Sequence, residues 1–127
     1  MPREIKINAG VVEARALLND SPTAEKIWEA LPIQARASTW GDEIYFSIPV
    51  ESSLEKEAKE VVEVGDLGYW PTGNAFCIFF GPTPMSKGDE VRPASAVNVI
   101  GRVTGDARVF KKVPSGARVR IERAEQQ

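Results

Sequence analysis

Asp66–Leu67–Gly68–Tyr69–Trp70–Pro71–Thr72–Gly73–Asn74–Ala75–Phe76–Cys77–Ile78–Phe79–Phe80–Gly81–Pro82–Thr83–Pro84–Met85–Ser86 holds five of the chain's ten aromatic residues. Two apolar runs flank the turn-forming Pro71–Asn74, which makes Leu67–Trp70 and Ala75–Phe80 paired strands. Side chains alternate across a strand, so Tyr69 and Trp70 face opposite sides. One belongs to a core, the other to a rim or pocket. By the same alternation Phe76, Ile78 and Phe80 share one face, and Cys77 and Phe79 the other. One set is expected inside a barrel, the other on an exterior covered by a helix. Asn74 suits the turn because asparagine tolerates a left-handed backbone. Rigid aromatics and prolines together hold one backbone shape or line a pocket.

Working outward, Gly81–Ala96 is a long connection containing Pro82, Pro84, Gly88 and Pro93. Connections of this length in a compact domain are often functional. Val97–Thr104 and Ala117–Arg123 read as strands, with Ala107–Val113 as a helical turn between them. Toward the N-terminus, Glu4–Asn8 and Val12–Leu18 flank a turn at Ala9–Gly10. Ser21 is a good N-cap and Pro22 suits the first helical position. Ala24, Ile27, Trp28 and Leu31 then recur on one helical face, which should pack Ile27 and Trp28 onto the sheet. Pro32 stops this helix. Gln34–Trp40 and Glu43–Ile48 form a hairpin around Gly41–Asp42, with Tyr45 on one face and Ile44, Phe46 and Ile48 on the other. Glu51–Val64 fits both a helical face and a strand. A loop followed by a strand from about Val61 is the favoured reading, and its charges read as a solvated face. Glu125–Gln127 is expected to fray. Frequent Gly/Pro turns between short strands, with one or two short helices, argue for an all-β closed barrel or sandwich.

The 127 residues suit one domain, 1–127, large enough to bury a core without cross-links. Net charge is −2, which offers no general attraction to nucleic acid or to anionic lipid. The locally basic C-terminal quarter alternates Arg118 and Arg120 with Val119 and Ile121, as a solvated strand face would. The single cysteine, Cys77, excludes an intramolecular disulfide and reads as a buried, inert thiol. There is no leader-like or membrane-spanning apolar run, so a cytoplasmic location is expected. With no histidine, there is no imidazole base and no Ser–His or Cys–His nucleophile pair. No metal and no cofactor is expected, and the glycine patterns of nucleotide-binding loops are missing.

Val64–Gly65–Asp66–Leu67–Gly68–Tyr69–Trp70–Pro71–Thr72–Gly73–Asn74–Ala75, followed by Phe79–Phe80–Gly81–Pro82–Thr83–Pro84, resembles a prokaryotic family of cyclophilin-like proteins with no established biochemical role. The resemblance runs over nearly the whole chain. It implies a single closed eight-stranded β-barrel related to the cyclophilin peptidyl-prolyl isomerases. Authentic cyclophilins carry a Phe-His-Arg-Ile-Ile-Pro-Gly segment whose arginine is the main catalytic residue. Here Phe46–Ser47–Ile48–Pro49–Val50 is the nearest match, shorter and without arginine. Their Gly-Ser-Gln-Phe-Phe-Ile strand corresponds to Gly73–Asn74–Ala75–Phe76–Cys77–Ile78, with Ala75 in the glutamine's place. Val99–Ile100–Gly101–Arg102–Val103 resembles their Val-Phe-Gly-Lys-Val strand. The barrel is thus expected without two of its polar catalytic groups. Rotating a prolyl bond past its barrier of about 20 kcal/mol requires groups that favour the transition state. Arg36 and Arg92 are the candidates to substitute in space.

The expected function is a binding module taking a peptide or small-molecule ligand beside the Tyr69–Trp70 hairpin. The alternative is a weak peptidyl-prolyl isomerase with a displaced arginine. Trp70 is expected to border the main concave site, with Asn74, Met85, Arg92 and Tyr45 as neighbours. The sequence assigns no catalytic residue and leaves the oligomeric state open.

Overall fold

A computed structural model describes residues 3–124; the expected fraying at Glu125–Gln127 lies outside them. Its strands are β1 (Arg3–Ala9), β2 (Val12–Leu18), β3 (Ile33–Arg36), β4 (Ser38–Thr39), β5 (Glu43–Ser47), β6 (Asp66–Trp70), β7 (Ala75–Phe79), β8 (Asn98–Thr104) and β9 (Arg118–Arg123). All pairings are antiparallel, in the order β3-β9-β1-β2-β8-β6-β7-β5-β4. The two outermost strands are consecutive in sequence, separated only by Ala37. The first half of this segment pairs with β9 (Ile33 opposite Ile121) and the second with β5 (Ser38 opposite Tyr45). At the bend, Ala37 donates to Ala117 O at 2.8 Å and accepts from Gly116 N at 2.7 Å. One bent strand therefore joins both edges, and the nine strands close a barrel of eight staves. Closure removes exposed sheet edges.

The interior follows the alternation of side chains. Ile5, Ile7, Ile44, Phe46, Leu67, Tyr69, Phe76, Ile78, Ile100, Val119 and Ile121 point inward and are buried. Phe46 and Phe76, opposite each other on β5 and β7, stack with centroids 5.3 Å apart. Arg118 on the alternate face of β9 is exposed, and Arg120 pairs with Glu122 at 2.7 Å.

The helix α1 (Pro22–Ala30) begins as its sequence dictates, with Ser21 Oγ accepting from Ala24 N at 3.2 Å. Ala24 and Ile27 join the interior core. Trp28 is only half-buried, and the guanidinium groups of Arg3 and Arg123 lie over its ring, 5.7 and 4.5 Å from the centroid. The turn between β8 and β9 is a short 3-10 helix, Ala107–Lys112, whose Phe110 packs against Phe80.

The strand expected from about Val61 does not form. Segment 51–64 is irregular and makes two isolated bridges, Lys59 with Val97 and Val62 with Val91. Several of its polar groups bond outside any ladder. Glu55 N donates to Asn98 Oδ1 at 2.7 Å, the Glu55 carboxylate accepts from Thr23 N at 3.0 Å, and Ser52 N donates to the Tyr69 hydroxyl at 3.2 Å. Side chains from the helix and two staves thus satisfy a stretch that periodicity alone leaves ambiguous.

Candidate functional site

Strands β5, β6, β7 and β8 carry a second apolar layer on their outer face. Ala75, Cys77, Phe79, Val62, Val91 and Val97 form this buried cluster, with Tyr45, Trp70 and Val99 packed against it. The expected helix over this face is absent; the chain from Val91 to Val97 and the bridge residue Val62 cover it. Gly68 makes room for that cover. A Cβ there would stand 3.0 Å from Val97 Cγ2 and 3.1 Å from the Phe79 ring, so Val97 packs closely where a side chain is missing.

Three sets of contacts hold the loop in place. Lys59 and Val97 exchange backbone hydrogen bonds of 2.9 and 3.0 Å, and Val62 N donates to Val91 O at 2.9 Å. Buried Thr83 donates from its hydroxyl to Arg92 O, while Thr83 N and Arg92 N both donate to Ser86 Oγ, at 2.9 and 3.2 Å. Trp70 Nε1–H donates to Ser95 Oγ at 2.6 Å. The Pro82–Pro84 segment therefore leads into a hydrogen-bonded knot, which fixes the loop's return over the barrel.

Between the loop and the outer face of β5 lies a cavity of about 230 Å³, lined by Trp40, Glu43, Tyr45, Trp70, Pro93, Ala94 and Val97. Wider depressions of about 650 and 700 Å³ lie elsewhere on the surface. The first is walled by charged groups already in pairs, such as Lys6–Glu122 and Arg120–Glu122 at 3.2 and 2.7 Å. The smaller cavity combines aromatic walls with a few polar groups, one of them a carboxyl, the usual composition of a ligand pocket.

That carboxyl belongs to Glu43. It is 5 % exposed, and its Oε1 has no hydrogen-bond partner among the described residues. Burial pushes its carboxyl up to about 7, against an opposing pull from the Cys77 thiol. Burial and the Glu43 carboxylate in turn push the Cys77 thiol well above its ordinary range, so at neutral pH it is a protonated, weakly reactive group. A carboxyl held near neutrality can bind a cation when ionised, donate a hydrogen bond when protonated, or move a proton.

Of the residues expected at the concave site, Trp70 and Tyr45 meet at this cavity. Trp70 is extended before Pro71, at φ −103° and ψ 106°, and Gly73 lies beneath its indole. Asn74, Met85 and Arg92 do not line the cavity. Asn74 is left-handed at φ 47°, as the turn requires, and its Oδ1 lies 3.1 Å from the Tyr69 hydroxyl. That hydroxyl donates to Val50 O at 2.6 Å, so Asn74 serves the interior side of the hairpin. Met85 is exposed at the loop knot, its amide donating to Thr83 Oγ1 at 3.2 Å. Arg92 turns to Glu90, 2.8 Å away, and Arg36 donates to Gly116 O at 3.1 Å; neither lines the cavity. Glu43 and Trp40 escaped the sequence reading. Glu43 was within reach of it, because it shares a strand face with Tyr45. Nothing local to Trp40 marks it, since its place at the cavity depends on the distant Pro93–Val97 segment.

A sequence profile described as Cyclophilin-like matches residues 3–122. The solution structure of the hypothetical protein AF2241 from Archaeoglobus fulgidus is 43 % identical and superposes with a TM-score of 0.83, covering 97 % of this chain and 95 % of that one. No curated protein matches the sequence.

Proposed function

The chain belongs to the Cyclophilin-like family, and from that premise we propose that it is a binding module whose site lies outside the barrel, between β5 and the Pro93–Val97 segment. The observation that carries this reading is the buried Glu43 carboxyl, whose Oε1 has no partner among the described residues, in the wall of a cavity it shares with Trp40, Tyr45 and Trp70. Folding leaves such a group unsatisfied at a cost of about 1–3 kcal/mol, and more if it is charged. A protein that tolerates this cost outside its core, at a preformed aromatic cavity, has a use for the group there. The ligand is a small molecule or a single side chain of a peptide, because about 230 Å³ holds no more.

Prolyl isomerisation has weaker support. The two arginines available to replace the missing one are engaged with Gly116 and Glu90. In a protease-free assay on a Xaa–Pro tetrapeptide, the expected result is no acceleration. Turnover like that of an authentic cyclophilin would overturn the reading. The positive test is a fragment screen read by tryptophan fluorescence and by amide and indole shifts, comparing wild type with Trp70→Phe. Shifts should centre on Trp70, Tyr45 and Glu43; shifts clustering elsewhere would refute the site.

A further inference from the structure

We propose that the cavity beside Trp70 recognises an organic ammonium group, which the Glu43 carboxylate receives among the side chains of Trp40, Tyr45 and Trp70. The proposal rests on the binding-module reading and gives its ligand a chemical class. No lining residue carries positive charge, and the only ionisable groups among them are Glu43 and Tyr45. Aromatic faces attract a cation through their quadrupole, and indole does so best. Glu43 Oε1, buried and unpartnered, offers an acceptor for an ammonium N–H. A carboxylate ligand would meet like charge here, with no lysine or arginine in the walls to receive it. A purely apolar ligand would leave Oε1 as unsatisfied as before. An alkylammonium fits the remaining demands, with its chain against Val97, Ala94 and Pro93 and its nitrogen at Glu43. The volume, about 230 Å³, is several times the ~30 Å³ of a water molecule and takes a short chain of this kind.

The pH dependence separates an ammonium from a neutral acceptor ligand. The groups facing Glu43 are few: Cys77 from β7, Tyr45 on its own strand, Trp70 from β6, and Pro93, Ala94 and Val97 from the loop. With its carboxyl at about 7, Glu43 is largely protonated at low pH and ionised at high pH. A cation binds the ionised form, so its affinity rises with pH. A carbonyl compound binds the protonated form, so its affinity falls.

The test titrates wild-type protein with n-butylammonium chloride, 1-butanol and butyrate, following the indole N–H resonances of Trp40 and Trp70. At high pH, butylammonium should bind at least about tenfold more tightly than butanol, and it should lose about tenfold between pH 8 and pH 6 as Glu43 takes up its proton. Butylammonium itself stays charged over this range, as a lysine amine does. Glu43→Gln should remove the preference for the cation and the pH dependence together. The wild-type pH profile stands as an independent reading should that variant fold poorly. A capped lysine amide, compared with butylammonium, distinguishes a peptide side chain from a free amine, and tight binding of either supports the ammonium assignment. Butanol binding as well as butylammonium, or affinity that rises as pH falls, overturns the ammonium proposal and leaves the pocket reading intact. If no probe moves the Trp40 or Trp70 resonances, both readings fall.

Discussion

The two faces of the sheet formed by β5, β6 and β7 solve the same packing problem differently. Inside the barrel, Phe46, Phe76, Ile78 and Leu67 belong to one buried cluster with residues of β1, β2, β3, β8 and β9, and the Tyr69 hydroxyl in it is bonded to Val50 and Ser52. Outside, Cys77, Phe79 and Tyr45 meet only a loop, held by isolated bridges and side-chain hydrogen bonds. The inner face ends in a packed core. The outer face ends in a cavity with an unpartnered carboxyl at its wall. The barrel therefore carries the stability, and the loop-covered outside carries a group whose burial costs stability. Function is to be sought on the second face.

Substitutions on the two faces should separate these roles. The largest loss is expected inside. Phe76→Ala removes a fully buried ring stacked on Phe46 and should cost about 3–5 kcal/mol in a denaturant melt. A loss below about 1 kcal/mol would mean that the interior is not the packed core described.

Outside, Glu43→Gln should do the opposite. The carboxyl's folded value of about 7 lies above the ordinary 4.5. Between these values the native state binds more protons than the unfolded chain, so stability falls as pH rises through this window. The penalty is complete above the folded value and amounts to about 3 kcal/mol. Glu43→Gln should therefore stabilise the protein by up to about 3 kcal/mol at pH 8, change little at pH 4, and flatten the slope between them. A wild-type stability that stays level from pH 5 to pH 8 would contradict the burial of an ionisable Glu43.

Gly68→Ala probes the contact between the faces. Its methyl would press on Val97 and the Phe79 ring at 3.0–3.1 Å, lifting the loop, and should cost about 1–3 kcal/mol. It should also shift the Trp70 indole resonance; an unshifted indole would mean that the loop does not rest on Gly68. The smallest effect is expected for Ser95→Ala, which removes the acceptor of the Trp70 N–H and should cost about 0.5–1.5 kcal/mol. Its clearer signature is faster solvent exchange of that indole proton.

These faces also differ in how far the sequence announces them. The inner face was legible because strand alternation is local: Phe76, Ile78 and Phe80 declare a side by spacing alone, and Tyr69 and Trp70 declare opposite sides. The helix start at Ser21–Pro22 and the turn at Asn74 were legible for the same reason. The outer face was legible only in part. Trp70 and Tyr45 were expected at a concavity, but Met85 and Arg92 were expected beside Trp70 as well, and they do not line the cavity. Their positions depend on the Thr83–Ser86 knot and the Arg92–Glu90 pair, side-chain contacts without periodicity. The cover itself comes from a segment that touches the 59–62 stretch through single bridges, which leave no repeating pattern. Glu43 was missed because a glutamate beside a tight turn reads as solvated until a loop is known to lie over it.

The most direct test is a carbon-detected titration of the Glu43 carboxyl, free and in saturating butylammonium. The expected result is a midpoint near 7 in the free protein and a fall of about one unit or more when the cation binds. A midpoint in the ordinary carboxylate range without ligand, or one that the cation leaves unmoved or raises, would contradict it.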